Sequence, residues 1–131
     1  MTKITESDIE KFAIELLEKH GYQYIYGPDI APDSETPERQ AFDQVLLLDR
    51  LKRAVGRINP QVPPEAREDA IKQILRLNSP ELIAGNETFH RMLTEGINVT
   101  YQADGGERGD LVWLVDFEDI EKNEFLAVNQ Y

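Results

Sequence analysis

Ile97-Asn98-Val99-Thr100-Tyr101-Gln102-Ala103-Asp104-Gly105-Gly106-Glu107-Arg108-Gly109-Asp110-Leu111-Val112-Trp113-Leu114-Val115-Asp116-Phe117 is the stretch that decides the fold class. Ile97, Val99 and Tyr101 alternate with Asn98, Thr100 and Gln102, the period-two pattern of a strand with one buried face. Ala103 to Gly109 is rich in Asp and Gly, which suit a hairpin connection. Asp110 to Phe117 is almost continuously apolar and reads as a buried return strand. A turn at Glu118 to Asn123 then leads into a third strand, Phe125 to Tyr131. That strand runs to the last residue, so the sequence is expected to be the front part of a larger protein.

Upstream of this meander the apolar period is helical. Thr5 and Asp8 form a capping pattern, and Ile9, Phe12, Ala13, Leu16 and Leu17 follow at helical spacing until Gly21, predicting an amphipathic helix over 6–20. Tyr22, Tyr24 and Tyr26 alternate with Gln23 and Ile25 as a short strand, and the proline-rich, acidic stretch from Ala31 to Glu38 is a loop. Phe42, Val45, Leu46, Leu48, Leu51, Ala54, Val55 and Ile58 predict a second helix over 40–58, ending before Asn59-Pro60. Pro64 opens a third, with Ala70, Ile71, Ile74 and Leu75 inward. Ser79-Pro80 reads as another cap, and Asn86 as the cap of a short helix carrying Phe89, Met92 and Leu93 before Gly96. Helices segregated before strands indicate an α+β fold: N-terminal helices packed on a small mixed or antiparallel sheet.

The composition narrows the function classes. The 131 residues suffice for about one domain. No apolar run approaches the roughly 20 residues of a membrane span, so no membrane partner is expected. The N-terminus is acidic where a signal peptide is basic then apolar, and cysteine is absent, both in keeping with a cytoplasmic location. A net charge of −11 repels phosphate backbones unless cations are grouped, as Arg50, Lys52, Arg53, Arg57, Arg67, Lys72 and Arg76 are in the middle of the chain.

Residues able to carry chemistry are few. Without Cys, thiol and zinc-finger mechanisms are excluded, and His20 and His90 are too far apart in sequence to suggest a metal pair. His20 suits the negative end of the first helix, and His90 a half-buried structural place. Gly105, Gly106 and Gly109 lie between strands and lack the helix and Gly-Lys-Ser/Thr ending of a phosphate loop. Glu6 and Glu10 share one helix face and could offer two oxygens to Mg²⁺, although solvated charge near a helix start is the commoner use. Asp116 ends a buried strand, where Asn123, Asn129 and Gln130 could supply donors to a structural polar cluster.

Several segments also resemble a known family. They are Arg57-Ile58-Asn59-Pro60, Asn86 to Phe89-His90-x-x-Leu93-x-x-Gly96-x-x-Val99, Asp104-Gly105, Val115-Asp116-Phe117 and Asn123-x-Phe125-Leu126-Ala127-Val128-Asn129-Gln130-Tyr131, with Glu6-x-x-x-Glu10 and Leu16-Leu17-x-x-x-Gly21-Tyr22 at the front. In this order they resemble the N-terminal region of the restriction, or motor, subunit of type I restriction-modification systems.

The resemblance implies an ATP-dependent DNA translocase and endonuclease acting against foreign DNA, together with methyltransferase and specificity subunits. It implies Mg²⁺ and ATP for the parent protein. Residues 1–131 would then be the N-terminal part of a restriction-endonuclease-like domain of the Asp…Glu-x-Lys type, truncated before the catalytic Asp and Glu-x-Lys. An acid on the first helix can join the metal cluster of such nucleases, which makes Glu10 the first candidate for that metal and Glu6 the second. Since phosphodiester hydrolysis of this class needs Mg²⁺ held by two carboxylates and a Lys beside the attacking water, the chain alone is expected to be inactive scaffold. The alternative from the composition is a stand-alone acidic module that binds a protein or mimics DNA.

Overall fold

The computed structural model describes residues 3–77 and 82–131 and shows an α+β chain that divides into two compact units. One comprises residues 1–48 with 124–131, the other residues 49–123. The cap read at Ser79-Pro80 lies outside the described residues.

The first unit opens with helix α1, Glu6–Lys19. Thr5 caps it: its hydroxyl accepts the Asp8 N–H at 3.2 Å, while the Asp8 carboxylate accepts the Thr5 N–H at 3.0 Å. The two groups thereby satisfy orphan donors reciprocally, as the sequence pattern foretold. Strand β1, Gln23–Tyr26, follows, then a 3-10 turn at Gly27–Ile30. Here the chain's last strand, Leu126–Asn129, pairs in parallel with β1, in the register Gln23 with Leu126 through Tyr26 with Asn129. It does not extend the antiparallel meander. Two contacts lead it into place: the Gln23 N–H donates to the Phe125 carbonyl at 2.8 Å, and the Tyr22 and Phe125 rings meet edge to face at 5.4 Å. The strand closes at Asn129, and Gln130 turns into the left-handed region with φ +48°.

Residues 40–47 are loop, so the predicted second helix forms only as α2, Leu48–Ile58. The cause is competition for backbone groups. The buried Arg39 guanidinium donates to the carbonyls of Phe42 and Gln44, and the Gln44 side chain takes the Gln40 N–H and the Leu46 carbonyl. Side chains thus hold polar groups that a helix would otherwise pair. Phe42 and Val45, two of the apolar positions that predicted the longer helix, are exposed.

The second unit has the larger apolar core. Helix α3, Pro64–Leu75, buries Ala66, Ala70, Ile71 and Ile74 and packs on strand β2, Ile97–Ala103, whose Ile97 and Val99 are buried. Each of the buried Ile and Val side chains contributes about 1.5–3 kcal/mol. Helix α4 runs Leu82–Glu95, so Asn86 lies within it instead of capping it, and His90 is exposed where a half-buried place was expected. Gly96 ends this helix at φ +81°, a conformation that L side chains rarely adopt.

Strand β3, Gly106–Val112, pairs with β2 around a two-residue turn at Asp104-Gly105. The return strand therefore starts four residues earlier than its apolar run (106 against 110), because Glu107, Arg108 and Gly109 enter the ladder through backbone alone. It also stops earlier, since the wholly buried Asn59 replaces the next rung. Asn59 Oδ1 accepts the Trp113 N–H at 2.7 Å, and Nδ2 donates to the Trp113 carbonyl at 2.7 Å and the Val55 carbonyl at 2.9 Å. The strand Leu126–Asn129 completes the order as β4. No helix among the described residues is long and apolar enough to cross a membrane.

Candidate functional site

Among the sequence candidates, Glu10 occupies the most distinctive environment. Helix α1 rests on β1 and β4 through its Glu10, Ile14 and Leu17 side, whose residues are half-buried, while Ile9, Phe12 and Leu16 stay exposed. Of the five apolar positions that predicted this helix, Ile9, Phe12, Ala13, Leu16 and Leu17, only Leu17 is half-buried, because hydrophobicity alone cannot say which side of a helix meets the sheet. The outcome places a carboxylate against the end of the parallel strand pair.

There Glu10 Oε1 accepts a hydrogen bond from Asn129 Nδ2 at 2.5 Å. Asn129 Oδ1 in turn accepts from the Tyr24 hydroxyl at 2.9 Å and the Gly27 N–H at 3.3 Å. The crossing of backbones is close: a Cβ on Gly27 would lie 2.0 Å from the Asn129 carbonyl oxygen, so only glycine fits. Next to Asn129, the Tyr26 hydroxyl reaches Gln130 Oε1 at 3.4 Å. Glu10, Tyr24, Asn129 and Gln130 border a groove of about 390 Å³ lined also by Ser7, Lys11, Ile14, Glu15 and Glu18. Glu6 stands at the exposed start of α1 and is not part of that lining.

The four residues read as a polar cluster form two arrangements. In the second unit, the Asp116 N–H donates to Asn123 Oδ1 at 2.8 Å, and Asn123 Nδ2 returns a bond to the Asp116 carbonyl at 2.8 Å. The Asp116 carboxylate accepts the Asp119 and Glu118 N–H groups at 2.8 and 3.0 Å. These bonds, that from Asp119 foremost, hold its pKa below the usual carboxylate range. This is a self-contained turn. Asn129 and Gln130 belong to the first unit, with Glu10.

The family model described as the type I restriction enzyme R protein N terminus matches residues 3–131. The chain belongs to that family. It is 33% identical over 127 residues, 97% of its length, to the type I restriction enzyme HindI endonuclease subunit of Haemophilus influenzae. It is 32% identical over 123 residues, 94% of its length, to a protein assigned as the endonuclease subunit of the type I restriction enzyme MjaIXP in Methanocaldococcus jannaschii. In each case the chain spans 12% of the relative's length. No solved structure matches it.

The family raises the question of Mg²⁺, whose preferred ligands are hard oxygens. A half-buried carboxylate gripped by an amide fits that preference as one ligand. Among the described residues no three His, Cys, Asp or Glu side chains come together, so Glu10 would be one ligand of such a site and the described residues do not complete it.

Two residues with prominent roles escaped the sequence reading. Arg39 organises the 40–47 loop and stacks over the Tyr131 ring at 4.1 Å. The Tyr131 hydroxyl donates to the Val45 carbonyl at 2.7 Å, and burial raises its pKa, an effect opposed by Arg39 and reinforced by Glu38. Asn59 was quoted in a helix-ending dipeptide and in a segment that carries the family resemblance, without a structural role. Its position directly before Pro60, at the end of an apolar helix, was the available signal.

Proposed function

We propose that this chain is the N-terminal part of a restriction-endonuclease-like domain in the R subunit of a type I restriction system. The complete subunit would cleave foreign DNA with Mg²⁺ and translocate along it with ATP, in the cytoplasm, in assembly with methyltransferase and specificity subunits. The family match over residues 3–131 carries this reading, and the relatives' description as endonuclease subunits supports it.

Within that domain the chain serves chiefly as scaffold. Its helices and strand pairs build the structure, and Glu10 is the carboxylate it lends to the metal, with the remaining ligands supplied by sequence outside these residues. One carboxylate neither holds Mg²⁺ in a cleavage geometry nor activates water, so residues 1–131 alone have no nuclease and no ATPase activity.

The test uses the complete subunit in its complex. Glu10→Gln, which keeps the shape and removes the charge, lowers Mg²⁺-dependent cleavage of unmodified DNA by about 100-fold or more while ATP hydrolysis continues, a loss within the range for a disturbed metal centre. Glu6→Gln leaves both activities close to wild type. Full cleavage by the Glu10 variant, or cleavage of plasmid by residues 1–131 alone, would overturn the assignment.

A further inference from the structure

The Asn129 amide joins helix α1 to the strand pair through hydrogen bonds at both of its ends. Its oxygen has two lone pairs, and two donors are directed at it, the Tyr24 hydroxyl at 2.9 Å and the Gly27 N–H at 3.3 Å. With the oxygen so engaged, the amide can face only one way, and its NH₂ group is turned toward α1, where it donates to Glu10 Oε1 at 2.5 Å. The backbone under it is fixed as well: Asn129 is the last rung of β4 opposite Tyr26, Gly27 admits no Cβ beside it, and Gln130 turns away at φ +48°. One carboxylate oxygen is thereby held by a side chain whose orientation two other groups set.

An aspartate at 129 would accept from Tyr24 and Gly27 equally well and present a second carboxylate to Glu10. A phenylalanine at 24 would keep the ring and remove one of the two donors that orient the amide. Neither change touches α1 directly.

We infer that Asn129 is a positioning residue for Glu10, with Tyr24 and the Gly27 N–H orienting Asn129, so that the Glu10 carboxylate meets a divalent cation already aimed. The inference rests on the reading of Glu10 as a metal ligand. Outer groups that orient a ligand are worth about 10–100-fold in metal affinity. A purely mechanical tie between α1 and the strand pair would affect stability alone.

The experiment uses the complete subunit without nucleotide and Mn²⁺ as the probe, with free Mn²⁺ read by electron paramagnetic resonance. Asn129→Ala raises the Mn²⁺ dissociation constant about tenfold or more, and Tyr24→Phe raises it by a smaller factor, both measured well below the variants' Tm. The exchanged pair Glu10→Gln with Asn129→Asp rebuilds an amide-to-carboxylate bond between α1 and β4. It restores much of the Tm lost in Asn129→Ala and leaves Mn²⁺ affinity low. Wild-type Mn²⁺ affinity in Asn129→Ala, with Glu10→Gln impaired, would overturn the positioning role and leave Glu10 as a ligand. Wild-type affinity in Glu10→Gln would overturn the ligand reading and the positioning role together.

Discussion

The two compact units solve the same problem with different materials. Residues 49–123 bury Val55, Ile58, Val62, Ala66, Ala70, Ile71, Ile74, Ile97, Val99 and Val112, whereas the first unit buries only Ile30 and Ala31 among its described apolar side chains. The exposed large apolar residues are distributed the other way, with Ile4, Ile9, Phe12, Leu16, Tyr26, Phe42, Val45, Phe125 and Tyr131 in the first unit. Polar ties compensate there: the Thr5–Asp8 cap, the Arg39 loop clamp, and the Glu10–Asn129–Tyr24 chain. Apolar burial is non-directional and tolerates small displacements, while hydrogen bonds fix angles. The unit that carries the candidate ligand is therefore the one built from directional contacts.

Breaking that contrast begins with Asn59, the wholly buried polar side chain of the apolar unit. Asn59→Ala leaves the Trp113 N–H and carbonyl without their partner inside the second unit and lowers stability by about 4 kcal/mol, at roughly 1–3 kcal/mol per unpaired buried group. Urea denaturation checks this, and a loss below about 1 kcal/mol would mean that water replaces the amide. Gly27→Ala follows, at about 3 kcal/mol, because backbone must shift to admit the methyl group. Hydrogen exchange should show the lost protection at the amides of β1 and β4, and unchanged protection there would contradict the close approach.

Smaller effects sharpen the comparison. Thr5→Ala removes the α1 cap and costs about 1 kcal/mol, read from the Tm. Phe12→Gln alters stability by less than about 0.5 kcal/mol, since Phe12 is 67% exposed. A loss of the size expected for a core residue would show that Phe12 is buried in solution.

The smallest effect is a pH dependence with one contributor in each unit. Asp8 and Asp116 both have carboxyl groups held below the usual range, Asp8 by the Thr5 N–H and then its hydroxyl, Asp116 by the Asp119 and Glu118 N–H groups. Because the folded value lies below the unfolded one, each contribution is complete above the unfolded pKa and is lost as pH falls through the folded pKa. Carboxyl carbon titration by NMR should give native midpoints lower than those of the unfolded chain for both residues, and coincident midpoints would remove the effect.

How much of this was legible in the sequence depended on the range of the contact. The α1 cap, Pro64 at the start of α3 and the stop at Gly96 are each encoded within a few residues and lie where periodicity and turn chemistry put them, whereas the hairpin connection, read as Ala103 to Gly109, closes in two residues at Asp104-Gly105. The α2 boundary failed because Arg39 reaches forward to claim carbonyls that the apolar spacing had assigned to a helix. For the candidate site, Glu10 and Asn129 were both singled out, yet separately, since they are 119 positions apart in the chain.

By itself, the sequence determined the α+β class, the elements with strong local signals and, through ordered motifs along its length, the family. Tertiary structure alone decided that β4 pairs in parallel with β1, that the Glu10 side of α1 meets the strands in place of Ile9, Phe12 and Leu16, and that Asn59 caps β3. The reason is physical. Local signals act through neighbouring dihedrals and caps, whereas strand partner and helix face depend on groups far apart in the chain competing for the same surface.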